Sequence, residues 1–406
     1  WDIWSGDYKV KRASIHQGQI NLKTTNKGDI NYGIIKPAKD TLPKDGNFSF
    51  LLELLKVEDV DFAFINRSTN QDYRLKIHEA LIHGDFAETN YQLTAEGDLM
   101  VEKLKSGSLT LISEKEADLN LALDINTNDK SYVFKKGDLG VEDMSFDITG
   151  VIDSSQIDLD VVGSHIQVSE LVNSIIPEES EHAGKYQGEG LVNFKGKISG
   201  PLVRTEMPSI VADFSVDNGA LLEAENNLKI HSINVLGNYQ NAFEDRKEVL
   251  DFENFSFKLL NSHLSGTGTM EDFAQPKLTT QAVGDLDLAA FHRFFGFKNV
   301  EELAGNVKLD LSCVILFFHP EYRKDRFEIQ SSNGNITLGN VVYKSVNDEL
   351  RYTNISGDIL VQGKDAAAKN LSIKTQNSDL TLNGALKNFV PFVEGSGSLG
   401  LIASLE

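Results

Sequence analysis

Apolar residues occupy every second position along most of this chain. Leu119, Leu121, Leu123 and Ile125 alternate with Asn120, Ala122 and Asp124. The same holds for Met144, Phe146 and Ile148, for Ile157, Leu159 and Val161, and for Phe255, Phe257 and Leu259. A period of two puts one set of side chains on one sheet face, which predicts antiparallel strands with one solvated face. Turns are expected at Asn26-Lys27-Gly28, Asp45-Gly46, Asp217-Asn218-Gly219 and Asn333-Gly334. Helical spacing is confined to two stretches. In the first, Val168, Leu171, Val172, Ile175 and Ile176 share a face and Pro177 ends the run. In the second, Leu288, Phe291 and Phe295 share a face, Asp287 or Asp285 caps the start, and Gly296 fits the stop.

The alternation repeats at long range. Asn254-Phe255-Ser256-Phe257-Lys258 is echoed 116 positions later by Asn370-Leu371-Ser372-Ile373-Lys374. At the same offset Asn261-Ser262-His263-Leu264 becomes Asn377-Ser378-Asp379-Leu380, Gly268 becomes Gly384 and Phe273 becomes Phe389. An echo that keeps the pattern and changes the apolar residues predicts a repeated pair of strands. No Pro-rich, Ser-rich or charged linker divides the chain, and the softest joint is the Glu-rich stretch from Pro177 to Gly184. Cutting by repeat phase gives three expected modules, residues 1–139, 140–275 and 276–406, the second and third each with a short helix.

Composition narrows the function classes. The formal charge is −21, with 39 basic residues scattered among 60 acidic ones, which excludes a nucleic-acid partner that needs clustered cations. Hydrophobic content of 40% argues against one large, fully buried core. The single cysteine, Cys313, sits on the apolar phase of Val307 to Cys313 and reads as a buried strand residue. No signal peptide and no run of about 18 apolar residues is present. The opening at Trp1 and the strand-like close at Gly400–Glu406 lead to the expectation of a chain cut at both ends.

Motifs that resemble chemistry fail on spacing. His78 and His83 stand five apart, which on a helix separates them by roughly 140° and on a strand puts them on opposite faces, so no metal site is expected. Gly395-Ser396-Gly397-Ser398-Leu399-Gly400 matches a dinucleotide-binding pattern in letters, but the strand-like Leu401–Leu405 follows it where a helix is required. Asp124 to Lys135 begins like a calcium loop, yet has Asp129 where Gly is needed and Lys135 where a bidentate Glu belongs. The nine histidines form no local catalytic arrangement. The chain is read as a non-enzyme without cofactor or metal.

What remains is the apolar face. A two-sheet sandwich and one long curled sheet with an open groove demand the same alternation. Sparse helices and a repeat that adds no covering layer lean to the groove. The expected fold is therefore mainly β: an elongated, curled antiparallel sheet forming an apolar groove, with two short amphipathic helices. Several segments also resemble the AsmA family of Gram-negative envelope proteins, in the form common among Bacteroidota. They are Gly18 to Leu22 through Gly28 to Tyr32, Val57 to Phe62, Ile166 to Pro177, and Asn377 to Gly384.

That resemblance implies a periplasmic body anchored in the inner membrane by an N-terminal helix absent here. It also implies kinship with repetitive β-groove proteins that conduct phospholipid towards the outer membrane. The expected function is a lipid-binding or lipid-transfer module with phospholipid as ligand. Its candidate acyl-chain contacts are Leu119, Leu121, Leu123, Phe255, Phe257, Leu371 and Ile373. Ordinary sheet core is the competing reading for each. An assembly factor for outer-membrane or surface β proteins, with an outer-membrane protein as partner, is the first alternative, and a structural β protein the second.

Overall fold

The computed structural model describes residues 11–31, 53–85, 89–106, 109–169, 186–202, 205–242, 247–297, 299–318, 327–346, 349–393 and 397–405. The chain is mainly β, with antiparallel ladders and two short helices among the described residues. Its contacts form two compact units. Unit 1 comprises Trp1–Ile166, Asn193–Asp213 and Gln240–Arg246; unit 2 comprises Gln167–Val192, Phe214–Tyr239 and Lys247–Glu406.

In unit 1, β1 (Arg12–Thr24) pairs in parallel with β2 (Leu54–Asn66). The strands β3 (Gln71–Gly84), β4 (Asn90–Ser106) and β5 (Leu109–Asn126) then follow, each antiparallel to the one before it. The meander continues through β6 (Ser131–Val141), β7 (Met144–Ile152) and β8 (Gln156–Gln167). Its core gathers Leu99, Val101, Ala117 and Val141, with Leu119 and Phe146 packed at the margin. Of four further strands, β9 (Tyr186–Glu189) belongs to unit 2, while β10 (Leu191–Pro201), β11 (Ser209–Glu223) and β12 (Leu228–Gln240) each carry residues of both units.

Unit 2 repeats the meander. It holds β13 (Val249–Leu259), β14 (Ser262–Glu271), β15 (Lys277–Asp287), β16 (Val300–Phe317) and β17 (Phe327–Ser345). Then come β18 (Arg351–Gly363), β19 (Asp365–Lys374), β20 (Asp379–Lys387) and β21 (Gly400–Leu405). Each pairs antiparallel with the next. Helix α1 (Leu288–Phe295) lies between β15 and β16, and α2 (Phe389–Val393) between β20 and β21.

The internal repeat lands on two hairpins. Shifted by 116 positions, β13 and β14 fall on β19 and β20. The two hairpins also share a β-bulge. Between Phe252 and Phe255 two residues face one on β14, and between Ala368 and Leu371 two face one on β20. The cross-strand pair after the bulge has exchanged bulk, since Phe255 faces Gly266 where Leu371 faces Leu382. The Phe255 ring lies over the glycine, and a Cβ there would stand 2.8 Å from Phe255 Cζ and collide with the Gln281 carbonyl oxygen. Gly266→Ala is expected to lower stability by about 1–3 kcal/mol, the range for overpacking a filled site. A urea midpoint equal to wild type would refute this packing.

Two of the expected turns lie instead inside strands. Asp217-Asn218-Gly219 lies within β11, with Asn218 at φ 51°, and Asn333-Gly334 lies within β17, with Gly334 at φ 140°. Residues that tolerate positive φ occur inside strands as well as in hairpins, so the letters alone do not separate the two. Asn26 to Gly28 does form a turn, whereas Asp45-Gly46 lies outside the described residues. Of the first expected helix, Leu171 to Pro177 lies outside them as well, as does the joint from Pro177 to Gly184.

The second expected helix is α1, and its ends follow the sequence. Asp287 caps it by accepting from the Ala289 and Ala290 amides at 3.0 and 3.2 Å, while Gly296 closes it in the left-handed region. Asp285, the other cap considered, pairs with Lys308 at 3.5 Å instead. Asp287→Ala is expected to cost about 1 kcal/mol, read as a lower thermal midpoint. Its buried stripe is Ala290 and Phe294, with Phe291 half-buried beside them. That corrects the expected face, because Phe295 is 38% exposed. Phe294 turns instead onto Leu228, Ile230 and Leu259. Helix α2 has five residues including Pro391, too few to show a helical period.

Candidate functional site: an apolar trough in unit 2

Three neighbouring strands carry bulges that align across the sheet. Register shifts fall between Leu338 and Val341 on β17, Thr353 and Ser356 on β18, and Ala368 and Leu371 on β19. Asn340, Asn354 and Asn370 take positive φ at or near these shifts. Each is tied to the adjacent strand: the Asn340 amide donates to Ser356 Oγ at 2.9 Å, Ser372 Oγ donates to the Asn354 carbonyl at 3.1 Å, and the Asn370 amide donates to Asn383 Oδ1 at 2.7 Å. Bulges bend the strands that carry them. Glycine permits the close approach beside one of them, since Gly357, at φ 143°, has no Cβ to meet the Asn370 carbonyl at 2.6 Å.

On this bent part of the sheet lies an apolar trough of about 380 Å³. Its thirteen lining residues are all Ile, Leu or Phe. Ile336 and Leu338 come from β17, Ile355 and Ile359 from β18, Leu371 and Ile373 from β19, and Leu380, Leu382 and Leu386 from β20. Phe389 and Phe392 of α2, with Leu399 and Leu401, complete it. Ile359, Leu371, Leu382 and Leu386 are buried, whereas Phe392 and Leu401 stand about half exposed, at 49% and 52%. The volume lies within the ~300–1,000 Å³ usual for small-molecule sites.

The charges nearby are held in pairs. Lys374 meets Asp379 at 2.8 Å beside the β19–β20 turn. Lys387 meets Asp365 at 2.6 Å, and the Asn388 amide donates to the same carboxylate at 2.9 Å, fixing the entry to α2. The hydrogen bond from Lys387, then that from Asn388, holds the Asp365 carboxyl below the usual aspartate range.

No protein-family model, no curated protein and no solved structure matches this chain. The reading of the trough therefore rests on its own residues.

Of the seven candidate contacts, the structure brings two into the trough, Leu371 and Ile373. Phe257 is covered by α1, its ring 6.4 Å from that of Phe291, and Phe255 fills the space over Gly266. Leu119, Leu121 and Leu123 are half-buried on β5 in unit 1. Leu119 borders the unit 1 core, and Leu123 faces Leu93 and Phe134 across its two ladders. The residues that sequence reasoning missed include Leu380, Leu382 and Leu386. Their alternation was visible and the repeat offset pointed at them, but α2, which completes the trough, left no periodic signal.

The discarded motifs have ordinary surroundings. His78 meets Glu116 at 3.3 Å, and among the described residues no cluster of three metal-ligating side chains occurs. Asn126 Oδ1 accepts from the amides of Asn128 and Asp129, a polar turn, and Lys135 pairs with Asp124. Strand β21 follows Gly400 where a dinucleotide site requires a helix. Cys313 is half-buried and sits 3.3 Å from Ser332 Oγ, less covered than its alternation implied. Among the described residues no helix is long and apolar enough to cross a membrane.

Proposed function

We propose that this chain is a lipid-binding module that shelters acyl chains in the apolar trough of unit 2. The observation that carries the reading is a lining made wholly of aliphatic and phenylalanine side chains, of which Phe392 and Leu401 stand half exposed. Such a surface offers no group for acid–base or nucleophilic chemistry. It gains about 0.8 kcal/mol for each methylene withdrawn from water, which suits a hydrocarbon chain. The resemblance to AsmA proteins extends this to a transfer role: a periplasmic, inner-membrane-anchored carrier moving lipid between the two membranes.

Native mass spectrometry of the purified chain, followed by lipid extraction, tests the reading. Bound lipid at near-stoichiometric occupancy is the expected result. A clean apo mass that persists after incubation with liposomes and with single-chain lipids overturns it. A second reading, an assembly factor that templates a client strand, draws on β21, where Leu401 and Ile402 are 52% and 68% exposed. Co-purification with a barrel protein and without lipid would favour that alternative.

A further inference from the structure

The trough is closed at one end. Strand register sets Leu386, Ala366 and Val361 in one row across β20, β19 and β18. Helix α2 abuts that row, with Val390 buried against it and its amide donating to the Lys364 carbonyl at 3.1 Å. Phe389 and Phe392, from the same helix, line the cavity. The opposite row, Ile373 and Leu380, is half-buried and leads to the turn after Lys374.

Resting on the acyl-binding reading, we infer that this trough takes one acyl chain of about a dozen carbons, stopped by Phe389 and Phe392, so that its ligand is a single-chain amphiphile rather than a diacyl lipid. Two observations carry this. A methylene fills about the share of volume that a water molecule does, ~30 Å³. The 380 Å³ of the trough therefore matches one chain of that length and is about half of what two would fill. The lining also supplies no polar side chain, and the cations beside it, Lys374 and Lys387, are engaged by Asp379 and Asp365. A headgroup is left in solvent and a fatty acid and a lysolipid meet the same walls, so chain number and length decide binding.

The test is native mass spectrometry of the whole chain with dodecanoate, dodecanoyl lysophosphatidylcholine and dilauroyl phosphatidylcholine in competition. One single-chain molecule per protein is expected, with the diacyl lipid at least ten-fold less retained. Equal retention of dodecanoate and the lysolipid identifies the chain as what is recognised; retention of one alone overturns a site blind to the headgroup. Dilauroyl phosphatidylcholine at equal or higher occupancy overturns the single-chain inference and leaves the lipid-binding reading standing. Retention of none of the three overturns both. Phe392→Ala, at a half-exposed position that leaves the fold intact, opens the closed end. It is expected to shift preference from dodecanoate towards hexadecanoate several-fold, and an unchanged preference overturns the stop.

Discussion

Phe294→Ala is expected to lower the stability of unit 2 by about 3–5 kcal/mol, the range for removing a fully buried aromatic ring. Phe294 is one of the largest side chains with no exposed surface, and α1 hangs on it. Its ring stacks on Tyr186 at 5.5 Å and meets Phe295 edge-on at 5.0 Å, above Leu228, Ile230 and Leu259. An eight-residue helix is marginal by itself, so its order comes from this burial. The neighbouring change Phe295→Ala, at a 38% exposed position, is expected to cost well under half as much. Urea unfolding followed by circular dichroism compares them. Equal midpoints for the two variants would show that α1 is not anchored through Phe294.

Ile373→Asp should reduce lipid retention at least ten-fold while leaving the protein folded. The residue lines the trough and faces Leu380 across the ladder. A carboxylate there meets apolar side chains and no cation, so a bound alkyl chain would have to desolvate it. Because the position is half-buried, the new charge keeps access to water in the empty protein, which spares the fold. Ile373→Leu is expected to bind as wild type does. Leu121→Asp makes the matching control, being half-buried in unit 1 and away from this cavity. Phe257→Asp is unsuitable, since it would disrupt packing under α1. Undiminished lipid occupancy in Ile373→Asp would sink the trough as the binding site.

Local features were readable in the sequence because local physics sets them. The alternation at Phe255, Phe257 and Leu259 gave β13, the 116-residue echo gave two matching hairpins, and Asp287 with Gly296 bounded α1. The seven candidate contacts carried equal weight, since period two says that a residue lies on an apolar face and nothing about what covers that face. Phe257 is covered by a helix, Phe255 by its own hairpin, and Leu371 and Ile373 border open space. That difference depends on which helix packs against each hairpin, and the five-residue α2, with Pro391 inside it, leaves no period to count.

In unit 2 every strand from β13 to β20 pairs with its immediate successor, and the turn between β13 and β14 holds only Leu260 and Asn261. Partners so close along the chain lose little entropy on meeting, so β-rich architecture need not fold slowly here. The ladder can zip hairpin by hairpin from any nucleus, each new strand stabilised by the one already formed. Shortening the chain after a whole hairpin would then remove strands from the end of the row without unpairing those before it.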